Sequence, residues 1–378
     1  MAAKILVLGA GMVGKAMAID LDKRYDVTSA DISEDALAYL NQKHHIKTIR
    51  FDVTDWSGLK ELISNFDLII SAVPGFLGYR TVEQIIEGGK NLVDISFMPE
   101  DTLQLNEKAV QKGVTAIVDC GVAPGMPNLI AGYYNQCMHI DNFQYMVGGL
   151  PKVRTFPFEY KAPFSPIDVI EEYTRPARFL QNGQIVIKPP MSDAELINFE
   201  KAGTLEAFNT DGLRSLIYTL KHIPNISEKT LRYPGHIKLI QALQAGGFFD
   251  SKPIRVKDSE IRPVDFTNTV LFQSWYLNPD DEEFTVMRVR LEGLKDNKRT
   301  EVVYDLYDEY CKDTHTSSMA RTTGYTATAA ASMFLEGLFT DKGIIPPELI
   351  GQYPVCFDYM MHYLEERHIV YKCQINLL

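Results

Sequence analysis

The segment running from Lys229 through Arg232 and Tyr233 to His236 places a guanidinium, a phenol and an imidazole within five residues, beside a Pro-Gly turn. Polar heads so clustered can converge on one ligand. Arg232 can clamp a carboxylate with two parallel bonds, and His236, with an ordinary pKa of about 6.5, can shuttle a proton or hold an amine. A helix-capping or core-satisfying role for His236 is an equal alternative. Tyr160 and Lys161 follow a broken, proline-containing stretch, where a lysine whose pKa is lowered by burial acts as base or donor; a solvated surface lysine is the plainer alternative. The loop from Glu206 to Arg214 is a second polar cluster, in which Asp211 can face an amine. Arg321, Thr322 and Thr323 open a small-residue stretch from Ala320 to Leu338 that reads as a helix, so the threonine hydroxyls cap it or touch a cofactor ring, capping being the simpler role. Glu171-Glu172, Asp280 to Glu283 and Glu365-Glu366 read as solvated faces. No His, Cys and carboxylate group has metal-ligand spacing, and the five scattered cysteines predict free thiols.

Such residues need a frame, and the start of the chain supplies one. The apolar run Lys4 to Leu8 leads through Gly9-Ala10-Gly11-Met12-Val13-Gly14 into a helical stretch. This is the order of a dinucleotide site: Gly9 for the tight turn, Gly11 for approach of a pyrophosphate, Gly14 for close helix–strand packing, and a helix N-terminus facing the phosphates. A glycine turn without a ligand is the alternative. Asp31 ends the next apolar segment, 20 residues past Gly11. A carboxylate there accepts from the ribose hydroxyls and repels a 2′-phosphate, which favours NAD over NADP.

Strand and helix patterns then alternate through Ile46–Phe51, Trp56–Ile63, Leu68–Ala72, Tyr79–Glu87, Asn91–Val93, Asp101–Gln111 and Thr115–Val118, predicting a doubly wound parallel sheet of six strands. Ligands bind beyond the carboxyl ends of such strands, which singles out Asp52 and Val53; Ala72, Val73 and Pro74; Asp94 and Ser96; and Asp119. Near residues 123–127 the alternation stops. We divide the chain into a cofactor domain (1–127), a substrate domain (128–317) with strands at Asn142–Val147, Gln184–Ile187, Glu283–Glu292 and Lys298–Asp308, and a C-terminal segment (318–378). The fold class is α/β, a Rossmann sheet plus an inserted α+β domain with a mixed sheet. Lys+Arg 38 against Asp+Glu 49 gives a formal charge of -11, which argues against nucleic acid and anionic membranes and for a small-molecule ligand. Met1 to Lys4 enters the first strand without a signal-type segment, and no apolar run approaches membrane-spanning length, so a cytoplasmic protein is expected.

Several phrases together resemble the saccharopine dehydrogenase-like family: Gly148 to Pro151, Tyr160-Lys161 with Phe164 to Pro166, Glu172 to Arg178, Leu205 to Phe208 with Thr210 to Arg214, Lys229 to His236, and Met319 to Gly324. Within it they are most similar to the lysine 6-dehydrogenase branch, over nearly the whole chain. The resemblance implies a homodimer formed through the inserted domain, a C-terminus returning to the cofactor domain, and NAD-linked oxidation of the lysine ε-carbon. The imine so formed hydrolyses to allysine and ammonia, and allysine closes to piperideine-6-carboxylate. That chemistry needs a neutral amine. Arg232 is then expected to hold the α-carboxylate, His236 or Lys161 to carry the proton, and Tyr160 and Asp119 to orient water or amine. Ser96, Asp211 and Thr322 complete the expected substrate side. Two other readings stand beside it: a saccharopine- or carboxynorspermidine-type reductase, and an NAD-binding regulator without turnover.

Overall fold

The computed structural model describes residues 2–164 and 166–378; Ser165, inside the Phe164–Pro166 phrase, lies outside the described residues, as does Met1. The cofactor domain is built on strands β1 to β6: Lys4–Leu8, Asp26–Asp31, Lys47–Arg50, Leu68–Ser71, Asn91–Asp94 and Thr115–Ile117. They pair in parallel in the order β3-β2-β1-β4-β5-β6, and β17 (Gly343–Ile345) continues the sheet beyond β6, making seven strands where the sequence pattern predicts six. Ile5 to Leu8 and Leu68 to Ser71 are wholly buried, as strands covered on both faces must be. The strand order reverses between β1 and β4, which opens a crevice at their carboxyl ends.

The second sheet is mixed. Its strands are β7 (His139–Pro151), β8 (Ala177–Gln181), β9 (Gln184–Lys188), β10 (Glu195–Phe199), β11 (Gly203–Asn209), β12 (Asn225–Arg232), β15 (Glu283–Lys295), β16 (Lys298–Glu309) and β18 (Tyr371–Leu377), with the small pair β13 (Ile254–Val256) and β14 (Ser259–Ile261) apart from it. β12 runs parallel to β7, whereas β15, β16 and β18 follow antiparallel. The β15–β16 hairpin is longer than its sequence pattern suggests, because the turn sits at Asp296 and Asn297, both left-handed (φ 52° and 60°), and Gly293 is inside the ladder.

Two expectations are corrected here. The late helix begins at Ser318, two residues earlier than the small-residue run suggests, and Ser317 Oγ caps it by accepting from Ala320 N at 3.3 Å. Thr322 is therefore inside the helix, its buried hydroxyl donating to Ser318 O at 2.9 Å. Glu283 is likewise no solvated residue: it is 1% exposed and accepts from Met319 N at that helix start, while burial pushes its carboxyl up to about 8.

The C-terminal segment serves both domains. Helix Ser318–Leu335 packs on helix Met12–Leu21, and Asp20 of the latter accepts from Thr328 Oγ1, Tyr363 OH and Arg367 Nε, each at 2.8 Å. β18 then crosses to the second sheet beside β16. Among the described residues, no helix is long and apolar enough to cross a membrane.

Candidate functional site

A cavity of about 600 Å³ lies between the carboxyl ends of the first sheet and the inner face of the second. The glycine turn forms its cofactor-domain wall. Gly9 has φ 104°, and a Cβ on it would stand 2.5 Å from Ala72 O; a Cβ on Gly14 would stand 2.0 Å from Gly9 O. Turn, strand end and helix are thus in backbone contact, and only hydrogen fits between them. A Cβ on Gly11 would meet nothing within 4 Å, since it faces the cavity, as do Met12 and Val13. This tight turn at a helix N-terminus fits the pyrophosphate of a dinucleotide.

Asp31 lines the same end at the tip of β2, where its carboxylate accepts from Ala10 N and, at 2.7 Å, from Ser33 N. Its neighbours in the wall, Ile32, Asp52 and Val53, bring no positive charge. Asp52 is held below the usual carboxylate range by the hydroxyl and backbone N–H of Thr54. Ala72, Val73, Pro74 and Ser96 also line the cavity. Asp94 does not: it lies buried beneath and accepts from Ser96 N and Oγ at 3.0 and 2.8 Å, with burial pushing it up to about 7. Its effect on a ligand passes through the position of Ser96.

The second domain faces this wall with charge. Its Arg214 Nε meets Asp119 (φ 52°) of the cofactor domain at 3.0 Å, and burial raises that carboxyl more than the guanidinium lowers it. Asp211 is forked by Arg178, with two bonds of 2.9 Å. Arg232 reaches the cavity, yet four of its five N–H groups are engaged, by Tyr173 OH, Leu231 O, Tyr160 OH and Glu172. Tyr160 is buried behind it.

His236, Lys161 and Thr322 are not brought to this wall. The His236 ring is 3% exposed, packed among Tyr160, Tyr173 and Trp275; Nδ1 donates to Phe158 O and Nε2 accepts from Tyr173 OH, both at 2.9 Å. Burial, helped by the charge of Arg232, pushes it down to about 3, so it is a neutral core residue. Lys161 is half-buried outside the cavity lining. Thr323, not Thr322, reaches the cavity from the late helix.

Sequence reasoning missed two sets of lining residues. Helix Pro166–Thr174 turns Asp168, Glu171 and Glu172 inward together with Arg175 just past its end. The spacing i, i+3, i+4, i+7 is the signal, and it contradicts the reading of Glu171-Glu172 as a solvated run. Glu172 pairs with Arg232, and Glu171 with Arg175 at 3.1 Å. The second set is Glu228 and Thr230, which alternate with the expected Arg232 on one face of β12. Glu228 accepts from Thr210 Oγ1 (2.7 and 2.8 Å) and Gly212 N (3.1 Å), and burial pushes it up to about 8. Among the described residues no cluster of His, Cys, Asp and Glu is arranged to hold a metal.

Fold and cavity together define a two-domain protein that binds a nicotinamide dinucleotide in its first domain and closes a charged cavity over it with the second. Residues 5–117 match the saccharopine dehydrogenase NADP binding domain and residues 121–370 the saccharopine dehydrogenase C-terminal domain. The chain belongs to the saccharopine dehydrogenase family. It is 24% identical to a Saccharomyces cerevisiae saccharopine dehydrogenase (NADP+, L-glutamate-forming), over 98% of each chain, and 23% identical to a Vibrio cholerae carboxynorspermidine synthase, over 93% of each. It is also 27% identical to an Arabidopsis thaliana alpha-aminoadipic semialdehyde synthase, but spans only 21% of that protein. The solved apo saccharopine dehydrogenase (L-Glu forming) from S. cerevisiae shares the fold, with TM-score 0.79 at 22% identity over 99% of this chain and all of that one.

Proposed function

We propose that this protein is an NAD-dependent dehydrogenase that oxidises the ε carbon–nitrogen bond of lysine. The observation that carries the reading is a single cavity in which the glycine turn and Asp31 meet Glu228, Asp211 and two arginines. NAD is the preferred dinucleotide because Asp31 faces the ribose position with no lysine or arginine among the lining residues beside it, whereas relatives named above carry NADP in their names. A bound oxidised nicotinamide supplies the hydride acceptor.

The chain's own groups do the rest. The substrate ammonium must give up a proton before its lone pair can form the C=N bond. Glu228 stands in the cavity in a cradle of hydroxyl and amide donors and takes that proton in its ionised form. With C–H and N–H lost as hydride and proton, the imine adds water and releases ammonia, giving allysine. Asp119 and Asp211, each held in place by an arginine, offer fixed carboxyl oxygens beside the amine.

A second reading, oxidation of a secondary amine of the saccharopine type, is favoured by the two lining arginines and by the full-length match to the yeast enzyme. The test is absorbance at the NADH band with NAD or NADP and L-lysine, L-ornithine, saccharopine or glutamate. Growth with NAD and lysine supports the first reading and growth with saccharopine alone the second. Silence across the panel with NAD still bound rejects both and leaves a non-catalytic regulator.

A further inference from the structure

We infer that Arg175, rather than Arg232, is the group that takes the substrate carboxylate and sets specificity for it. The inference deepens the amino-acid dehydrogenase reading and rests on it. Arg175 and Arg232 are the two cations among the described lining residues, in a cavity otherwise rich in carboxylates, so an anionic substrate end must find one of them. Their donors are differently committed. Arg232 spends its Nε, one Nη1 hydrogen and both Nη2 hydrogens within the protein, tying together Tyr173, Tyr160 and Glu172. A forked bond from it to a ligand would break the Glu172 pair and the phenol contacts that fix β12 against helix Pro166–Thr174.

Arg175 is the reverse case. Its Nη2 meets Glu171 at 3.1 Å, while its Nη1 is buried and has no hydrogen-bond partner among the described residues. Buried guanidinium nitrogens are rarely left this way, because the donor has lost water and gained nothing. The guanidinium lies 5.1 Å over the ring of Phe97, which directly follows the β5 strand-end residues Ile95 and Ser96. Stacking fixes the plane of the fork and leaves its edge for a planar partner. Its partner Glu171 is 44% exposed on its side chain, so a ligand carboxylate can compete for the guanidinium at little loss. Arg175 is thus a pre-set, under-used fork at the strand ends, where this fold places substrates.

The experiment compares the full-length protein with Arg175→Met and Arg175→Lys, using the amino-acid substrate found active and its carboxamide analogue, which keeps the amine and removes the negative charge. The wild type prefers the acid. In Arg175→Met, KM for the acid rises about 10- to 100-fold, kcat and the KM for NAD stay within a few-fold, and the acid and carboxamide become equivalent. Arg175→Lys, with charge but no fork, lies between. A merely structural role would depress both substrates alike, so an unchanged acid-to-carboxamide ratio in Arg175→Met overturns the inference. If no amine in the panel is oxidised, the function proposed above fails on its own. Calorimetric titration of the NAD-loaded protein with glutarate then decides the role of Arg175: binding that Arg175→Met abolishes supports it, and absent or undiminished binding refutes it.

Discussion

At the scale of single residues, the cavity sorts its carboxyls by what holds them. Asp211 and Asp119 are each bonded to an arginine, while Glu228 has hydroxyl and amide donors but no cation among the described residues. It faces Thr210, Thr230 and Tyr145, with the charges of Glu172 and Asp211 adding to the burial that raises it to about 8. A base must be ionised to accept a proton, so kcat/KM should rise with pH through that value in the wild type. Glu228→Gln, nearly the same shape, should lower kcat by about 100-fold and abolish that limb of the profile. Retention of the limb in the variant would assign it to another group. Asp31 permits a second test at this scale. Asp31→Ser should raise the KM for NAD by about 10-fold or more and narrow the gap to NADP; an unaltered NAD/NADP ratio would show that the carboxylate holds only Ala10 and Ser33.

Elements succeed or fail through backbone contact. A methyl at Gly14 has no room against Gly9 O, 2.0 Å from where it would sit, so Gly14→Ala must push helix Met12–Leu21 off the turn. The expected loss is about 1–3 kcal/mol of stability, with NAD affinity falling at least as sharply; dye-monitored melting with and without NAD measures both. Normal binding in that variant would mean the turn does not cradle the cofactor. The same glycines explain why the first domain was legible in the sequence. Its central strands β1 and β4 are continuous apolar runs, its helices start at the right interval, and most of the acids and small residues after a run fall at the crevice, Asp94 lying beneath it. The second domain was legible only in part, because β8, β10 and β11 carry mixed polar sequences and gain their order from neighbours distant in the chain. Helical spacing from Asp168 to Arg175 and strand alternation from Glu228 to Arg232 were both readable as faces. That those faces turn toward one cavity was not, since it depends on the long-range pairing of β12 with β7. The sequence cluster around His236 misled for a related reason: proximity along the chain put the imidazole next to Arg232, while β12 ends there and the following helix carries the ring into the aromatic core.

The whole molecule is held in one piece by its C-terminal segment (318–378), which adds a strand to each sheet. Asp20 is the point where that return is fastened: its side chain is fully buried and gathers Thr328, Tyr363 and Arg367 from elements more than 300 residues away in the chain. Burial alone would raise its carboxyl, but the bonds and charge of Arg367, with the two hydroxyls, hold it below its ordinary value. A carboxyl depressed in the folded state contributes stability that is complete above the unfolded pKa of about 3.9 and is lost as pH falls through the lower folded value. Asp20→Asn keeps the shape but leaves Arg367 only the exposed carboxylate of Glu366 at 3.8 Å, at a cost of about 3 kcal/mol near neutral pH. Since Arg367 is 15% exposed on its side chain, added salt should recover little of that loss. Denaturant midpoints of wild type and variant should therefore differ clearly at pH 7 and draw together only as pH falls below the unfolded pKa of about 3.9. Equal midpoints at pH 7 would show that the Asp20–Arg367 pair adds nothing to the attachment of the C-terminal helices to the cofactor domain.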